Sequence, residues 1–394
     1  MKFLFICSHQ IQNLIPLFVE LEKKKDLDFK VLYWEKLDAF HFDHEFNSKI
    51  NFNVNRFEGY RSHCLSKRKE NSNSIFSFFN KFYVTLKLLI YLFKERQNYE
   101  TVLIYGYYFP HIISSIFLKF LKKKIIIRSI SYNLGNKNFA KKILRNIYYR
   151  FSNIFIDEFW SVCKLNTDFF KTFGVNQKKI YLVESSQLNK NFVFINENDF
   201  MNQREKIISQ NKILPKQKII LFAGKLIKKK RPLLLLEAFI ESKISNEWLL
   251  LISGDGYYRD KVLDIIDRNK KKNILFVGFQ NIREILTLYS LSDIIVLPSD
   301  YGETHGNVLL EATQFNCALV ASDRVGLYPE LINNNLGLVF DAEKKSELIK
   351  KLEHLTNDKN LLEKLKKNSL EYSKKIQPEY IANKIFKLLN KNEI

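Results

Sequence analysis

"KIILFAGKLIKKKRPLLLLEAF" runs from Lys218 to Phe239. The apolar run up to Ala223 has strand length and Gly224 permits a sharp change of direction. A cluster of cations then leads to Pro232, a residue suited to the first turn of a helix. A buried strand that empties through a glycine turn into a helix is half of a βαβ unit. Such units build parallel sheets covered by helices on both faces.

The same alternation extends both ways. Downstream lie EWLLLISGDG, NILFVGF, DIIVLPS, CALVAS and LGLVF; upstream lie KFLFIC, DFKVLYW, TVLIYG, KIIIRS, EFWSVC and KIYLVE. Helical stretches separate them, at 11–24, 112–121 and 137–151 in the first half. Residues 189–216 are polar without a clear strand and are read as a linker. The expectation is an α/β chain of two doubly wound domains, 1–188 and 217–375, facing a central cleft. Residues 344–389 read as helical, and 376–394 form a C-terminal helix packing back toward the first domain. Ligands of such sheets sit at the carboxyl ends of the strands.

At 394 residues, 46% hydrophobic and 27% charged, the chain suits two ordinary cores and not a disordered polymer. Cys7, Cys64, Cys163 and Cys317 stand singly, without zinc or disulfide spacing, which fits a reducing cytoplasm. The start, MKFLFICSHQ, reads as a first strand and not as a secretion signal. The net charge of +21 points to an anionic surface or substrate, although a chain crowded throughout with Lys, Asn, Ile and Phe carries some of that excess as general composition. Residues 75–93 have the length of a membrane span. Lys81 and Lys87 would each cost roughly 2.5–3.5 kcal/mol at the bilayer centre, so no crossing is expected. Asn80, Lys87 and Lys94 instead mark one polar stripe on an apolar, aromatic helix, which either packs half-buried or lies in a lipid interface. The expected location is cytoplasmic, peripheral on the inner face of the cytoplasmic membrane.

Three turns in the second half carry the chemistry. Gly224 allows close approach, and Lys225 and Lys230 beside a helix start make a diphosphate seat; a solvated basic turn is the plainer alternative. Gly254 opens a Gly-Asp-Gly turn, a weak signal alone. In "SDYGETHGNVLLEAT", Ser299 to Thr313, a helix over 306–315 would set Glu303 and Glu311 roughly 8 Å apart along its axis. The amides of Gly306, Asn307 and Val308 would face an anion between them. One carboxylate would then serve the hydroxyls of a transferred sugar and the other those of a ribose. Read singly, Glu303 is a charge complementing a helix dipole and Glu311 an exposed helical charge.

Taken in order, GKLIKKK, GDG, FVG, LPS, ETHGNVLLEA and VASDRVGLYPELI resemble the motifs of family 4 of the sugar-nucleotide-dependent glycosyltransferases, retaining enzymes of the GT-B fold. The likeness covers about residues 218–339. SHQIQNLIPLF, FEGYRSHCL and YGYYFP have weaker counterparts in the first half. The resemblance implies that Lys225 and Lys230 hold the diphosphate, Glu311 the ribose, and Glu303 with the amides of 306–308 the donor sugar and phosphate. Departures are Lys225 where arginine is usual, His305 in place of an aromatic residue, and Asn316 and Ala318 in place of Gly and Pro. His305 either binds the sugar or fills the gap. Without a glycine-rich first loop, Ser8 and His9 fall near the cleft, with His111 as a candidate for the family's first-domain histidine.

The implied reaction moves a hexose from a UDP- or GDP-sugar to a hydroxyl of a saccharide or lipid-linked saccharide, with retention, probed by charge developing on the departing diphosphate. The catalytic candidates are Glu303, Lys230 and Lys225. No cofactor beyond the nucleotide sugar co-substrate and no metal is expected, since Asp26-Leu27-Asp28 precedes its strand and lies at the wrong end of the sheet. Partners would be the donor, the acceptor and an anionic membrane, with no nucleic acid. Two rivals stand beside this reading: a catalytically silent scaffold of the same shape, and a basic nucleic-acid-binding protein, for which no recognised motif is present.

Overall fold

The computed structural model describes residues 1–36, 41–43, 48–50, 58–67, 74–132, 139–244, 246–270 and 272–391. The chain divides into two units, one comprising 1–38, 55–186 and 378–394, the other 39–54 and 187–377.

A short hairpin of β3 (His41–Asp43) and β4 (Ser48–Ile50), which follows β2 in the chain, falls in the second unit, while the strands of the first unit are β1 (Lys2–Cys7), β2 (Asp28–Lys36), β5 (Ser62–Lys67), β6 (Thr101–Tyr105), β7 (Lys124–Ser129), β8 (Glu158–Ser161) and β9 (Ile180–Leu182). The strands of the first unit form a parallel sheet ordered β5-β2-β1-β6-β7-β8-β9. Its central strands are apolar almost without interruption because helices cover both faces. On one face Phe3, Phe5, Phe18 and Phe29 cluster edge-on and stacked, with Phe5 and Phe18 rings 4.8 Å apart. Helix Pro378–Asn390 packs on helix Ile15–Glu22 at this unit, tied by an ion pair of 2.7 Å from Lys384 to Glu184. On the other face, Val84, Leu88 and Leu92 of helix Ser74–Lys94, Leu118 of helix Phe109–Phe120 and the aromatic residues of helix Lys164–Thr172 share one core.

Two of the three stripe residues on helix Ser74–Lys94 turn inward, Asn80 donating to Glu35 at 2.8 Å and Lys87 to the Leu65 carbonyl at 3.2 Å, while Lys94 is exposed. Phe82, Tyr83, Leu86, Ile90 and Phe93 are exposed beside Lys81 and Lys94. β5 escapes a reading of the sequence because SHCLSK is an edge strand, half-buried and polar. Asp28, at the amino end of β2, is paired with Arg61 at 2.7 Å.

The second unit holds β10 (Ile219–Ala223), β11 (Leu249–Ser253), β12 (Ile274–Gly278), β13 (Ile294–Leu297), β14 (Ala318–Ser322) and β15 (Gly337–Phe340), all parallel in the order β12-β11-β10-β13-β14-β15. Residues 189–216, read as a linker, instead contribute helices Lys190–Val193 and Glu197–Asn211 to this unit. Asn189 and Asn196 cap them with their side chains, and Phe200 and Ile207 bury. The polar sequence hid these helices because only one narrow face of each is apolar.

Candidate active site

In a doubly wound sheet the first strand is central, and the chain reverses its direction of travel between that strand and the one added on its other side. At this point the two following loops diverge and leave a crevice. In the second unit the reversal falls between β10 and β13. The loops that leave those two strands are 224–231 and 298–306, the two stretches singled out in the sequence.

Backbone packing fixes their shape. Gly224 accepts no neighbour larger than hydrogen from the next turn: a Cβ on Gly254 would lie 1.8 Å from the Gly224 carbonyl oxygen. The Gly224 amide donates to Ser253 and the Leu226 amide to Asp255, at 3.0 and 2.8 Å. Lys228–Lys230 then form one 3-10 turn, and Arg231 takes a left-handed φ of +50° that a non-glycine residue adopts at a cost of about 1 kcal/mol. Its guanidinium donates to the Ala342 carbonyl, which holds the turn in that form. Helix Pro232–Glu241 starts directly after it, with proline in its first turn. The turn sends the Lys230 side chain back over Gly224, where its methylenes pass 3.9 Å from the position of a Cβ.

There Lys230 meets Glu303. The ammonium and the carboxylate form an ion pair with side chains only 15% and 12% exposed, and Ser299 donates to the same carboxylate oxygen at 3.2 Å. Glu303 is thus neither a loose surface charge nor a mere complement to a helix dipole. Its loop is braced from β14: the Gly326 amide donates to the Glu303 carbonyl at 2.9 Å, and a Cβ on Gly326 would lie 2.0 Å from the Thr304 carbonyl oxygen. Gly306, with φ of +99°, makes the last turn into helix Asn307–Thr313. That helix is shorter than the expected 306–315. His305 is 3% exposed and shares a 2.8 Å hydrogen bond between its Nδ1 and Asn307 Oδ1, a contact at the helix start. Val308 is half-buried beside it.

Glu311 is the fifth residue of the helix and is 7% exposed, so it is not a solvated helical charge. The phenol of Tyr289 donates to its Oε2 at 3.2 Å. Burial, together with the nearby Glu311 carboxylate, pushes the Tyr289 phenol well above its ordinary range, keeping it a donor. Lys225 stands half-buried directly after Gly224. Of the residues selected from sequence, Gly224, Gly254, Lys230 and Glu303 meet in one place. His305, Gly306, Asn307 and Val308 form the adjoining turn, and Glu311 has its own partner in Tyr289.

Three contributors escape the sequence reading. Ser299 orients Glu303, Tyr289 orients Glu311, and Arg324 pairs with Asp300 and Glu343 while stacking 4.1 Å over Tyr301. Burial would raise the Asp300 carboxyl, but hydrogen bonds from Arg324 and the Tyr301 amide outweigh it and hold the group below its ordinary value. The Ser-x-x-x-Glu spacing was the available sign for Ser299. Nothing local marks the other two.

In the first unit the reversal falls between β1 and β6. Ser8 and His9 follow β1 and share a 2.9 Å hydrogen bond. His111 follows β6 but is 1% exposed, with Nδ1 donating to the Gly106 carbonyl at 2.8 Å and its ring edge-on to Trp34. Burial drives its pKa down to about 3, the Gly106 carbonyl offsetting part of that, so the ring is neutral.

Residues 203–372 match the family model described as glycosyl transferases group 1. Among curated relatives, alpha-galactosylglucosyldiacylglycerol synthase of Streptococcus pneumoniae is 34% identical over 122 residues, 30% of this chain and 31% of that protein. Alpha-D-kanosaminyltransferase of Streptomyces kanamyceticus is 30% identical over 120 residues, again 30% and 31%. The chain spans about a third of the length of these relatives. Among solved structures, Anabaena HepE in complex with UDP superposes with a TM-score of 0.70 at 15% identity, covering 99% of this chain and 100% of that one. Sucrose-phosphate synthase from Thermosynechococcus elongatus gives 0.70 at 15%, covering 98% of each. These likenesses establish the fold as GT-B, with two Rossmann-like domains.

Proposed function

We propose, for a chain whose residues 203–372 form a domain of the glycosyl transferases group 1 family, that it is a glycosyltransferase moving a hexose from a nucleotide diphosphate sugar, UDP- or GDP-linked, to a hydroxyl of a saccharide or lipid-linked saccharide. The reading includes retention of anomeric configuration, independence from metal, and a role in cell-surface polysaccharide synthesis at the membrane. The observation that carries it is the Lys230–Glu303 pair, set beside the Gly224–Gly254 backbone contact at the point where the sheet reverses.

Breaking the sugar–phosphate bond places negative charge on the leaving diphosphate, and fixed cations stabilise that charge most when desolvated. Lys230 is such a cation, with Lys225 on the same turn and the amides of Gly306, Asn307 and Val308 as further donors. In this reading the incoming diphosphate takes over Lys230, and Glu303 passes its hydrogen-bonding capacity to sugar hydroxyls. Glu311 accepts from the ribose. A leaving-group oxygen on the same face then takes the acceptor's proton, so no carboxylate nucleophile is needed. Anabaena HepE has been crystallised with UDP-glucose, which supports a nucleotide sugar as donor here.

Thermal unfolding against a panel of UDP- and GDP-sugars tests the assignment. One class should raise the midpoint in the wild type and fail to do so in Lys230→Ala. No shift with any member of the panel removes the proposal.

A further inference from the structure

The first unit carries a second basic feature, remote from the strand ends discussed above. At the amino edge of β7, β8 and β9 lies a hollow of about 510 Å3 whose walls include Lys119, Lys122, Lys123, Lys124, Lys178 and Lys179, with Asp157 and Glu158 as its acidic members. Lys119 pairs with Asp157 and Lys124 with Glu158. Six lysines against two carboxylates leave an excess of four positive charges on a patch roughly 10 Å wide, two strand spacings.

An apolar strip precedes this hollow in the chain. Helix Phe139–Asn153 has four cations and no acidic residue. It seats Tyr149 against Phe169 and Phe173. Its outward side shows Ile143 at 45%, Leu144 at 67%, Ile147 at 60%, Tyr148 at 36% and Phe151 at 49% exposure, continued by Ile154 at 70%. At 100° per residue these six fall within about 140° of one another, a single stripe about 16 Å long. The stripe ends three residues before Asp157 and four before Glu158, both wall residues of the hollow, so the two features adjoin along the chain. Phe120, next in the chain to the wall residue Lys119, is 80% exposed.

We propose that this face docks onto an anionic lipid bilayer, with the stripe of helix Phe139–Asn153 entering the interface and the lysine hollow engaging lipid phosphates. An exposed apolar stripe flanked by cations alone is the pattern of a helix lying in the plane of a charged membrane. A second copy of the chain fits poorly: in a two-fold contact the patch faces itself, setting four excess positive charges against four. Among the described residues no helix is long and apolar enough to cross a membrane, so the contact is peripheral. It deepens the proposed function by favouring a lipid-linked acceptor, but its test does not depend on catalysis.

The full-length chain is sedimented with phosphatidylcholine vesicles containing or lacking phosphatidylglycerol. Binding should require phosphatidylglycerol. A lysine at an anionic surface changes partitioning about fivefold, so Lys122→Glu, Lys178→Glu, Lys179→Glu together should lower it at least a hundredfold while nucleotide release from the donor persists. Leu144→Ser with Ile147→Ser should lower it at least tenfold. These side chains are exposed, so unchanged far-ultraviolet circular dichroism verifies the fold. Wild-type protein that ignores both vesicle types overturns the proposal, as does a triple variant that binds like wild type. Saturable binding of inorganic phosphate without vesicle binding assigns the hollow to a free anion and also overturns it. So does a dimer in light scattering that Leu144→Ser with Ile147→Ser dissolves while vesicles remain unbound. Wild-type protein that transfers sugar yet binds neither vesicle type refutes the docking alone and leaves the proposed function standing.

Discussion

Removing Lys230 should damage stability and transfer by separable amounts. In Lys230→Ala the Glu303 carboxylate, 12% exposed, keeps only the Ser299 hydroxyl among its named side-chain partners. Exposed ion pairs contribute at most ~1 kcal/mol, but a pair this desolvated behaves as a buried one, in which deleting one partner strands a charge. We expect a loss of about 2–4 kcal/mol, or roughly 5–15 °C in the midpoint of a unit this size. Adding Glu303→Gln removes the stranded charge and should recover most of that stability, since a neutral amide still accepts from Ser299. Transfer responds differently. Loss of one fixed donor to a developing charge costs ~10²–10³ in rate, and Glu303→Gln cannot replace a cation. The cycle of two single variants and the double variant is read twice, by urea unfolding and by nucleotide release from the sugar nucleotide that gives the largest thermal shift. If Lys230→Ala transfers within threefold of wild type, or if the double variant regains both stability and rate, the ammonium has no part in binding the diphosphate.

Glu311→Ala should raise the nucleotide Kd about tenfold to a hundredfold, as expected for a lost hydrogen bond to a charged group; equal affinity by calorimetry contradicts the ribose assignment. Gly254→Ala sets a Cβ against the Gly224 carbonyl oxygen, so both turns must shift: nucleotide affinity should fall more than tenfold, and unchanged affinity would mean that the turns do not shape the site. His111 is held neutral down to about pH 3, while the unfolded chain takes up a proton near 6.5. The unfolded state therefore binds more protons between those values, and stability should fall by about 1.4 kcal/mol per pH unit as the pH drops through that window. His111→Phe should flatten that slope in urea midpoints.

The buried strands were legible because both faces of each are covered, leaving short apolar runs such as IILFA and LLLIS that end in glycine-containing turns. The turns were legible because glycine at Gly254 and Gly306 is demanded by a backbone contact or by φ. Pairings across long separations were not. Lys230 and Glu303 lie 73 residues apart and Tyr289 and Glu311 lie 22 apart, and no local pattern distinguishes these partners from other polar residues. Orientation was equally hidden. Asn80 and Lys87 of helix Ser74–Lys94 turn inward, while the apolar side of helix Phe139–Asn153 turns out, although both sequences show a conventional amphipathic repeat. Which side of such a repeat meets protein is decided by neighbours, not by the repeat.

Helix Pro378–Asn390 belongs to the first unit, yet 191 residues, Gln187 to Gln377, separate it from the rest of that unit. Ribosomes add about 5–20 residues per second, so the surface of helix Ile15–Glu22 that it covers waits roughly 10–40 s during synthesis for its lid. Through that interval a nascent chain presents an unfinished apolar seam, which makes chaperone capture during translation and sensitivity to carboxyl-terminal fusion tags properties of the amino-terminal lobe.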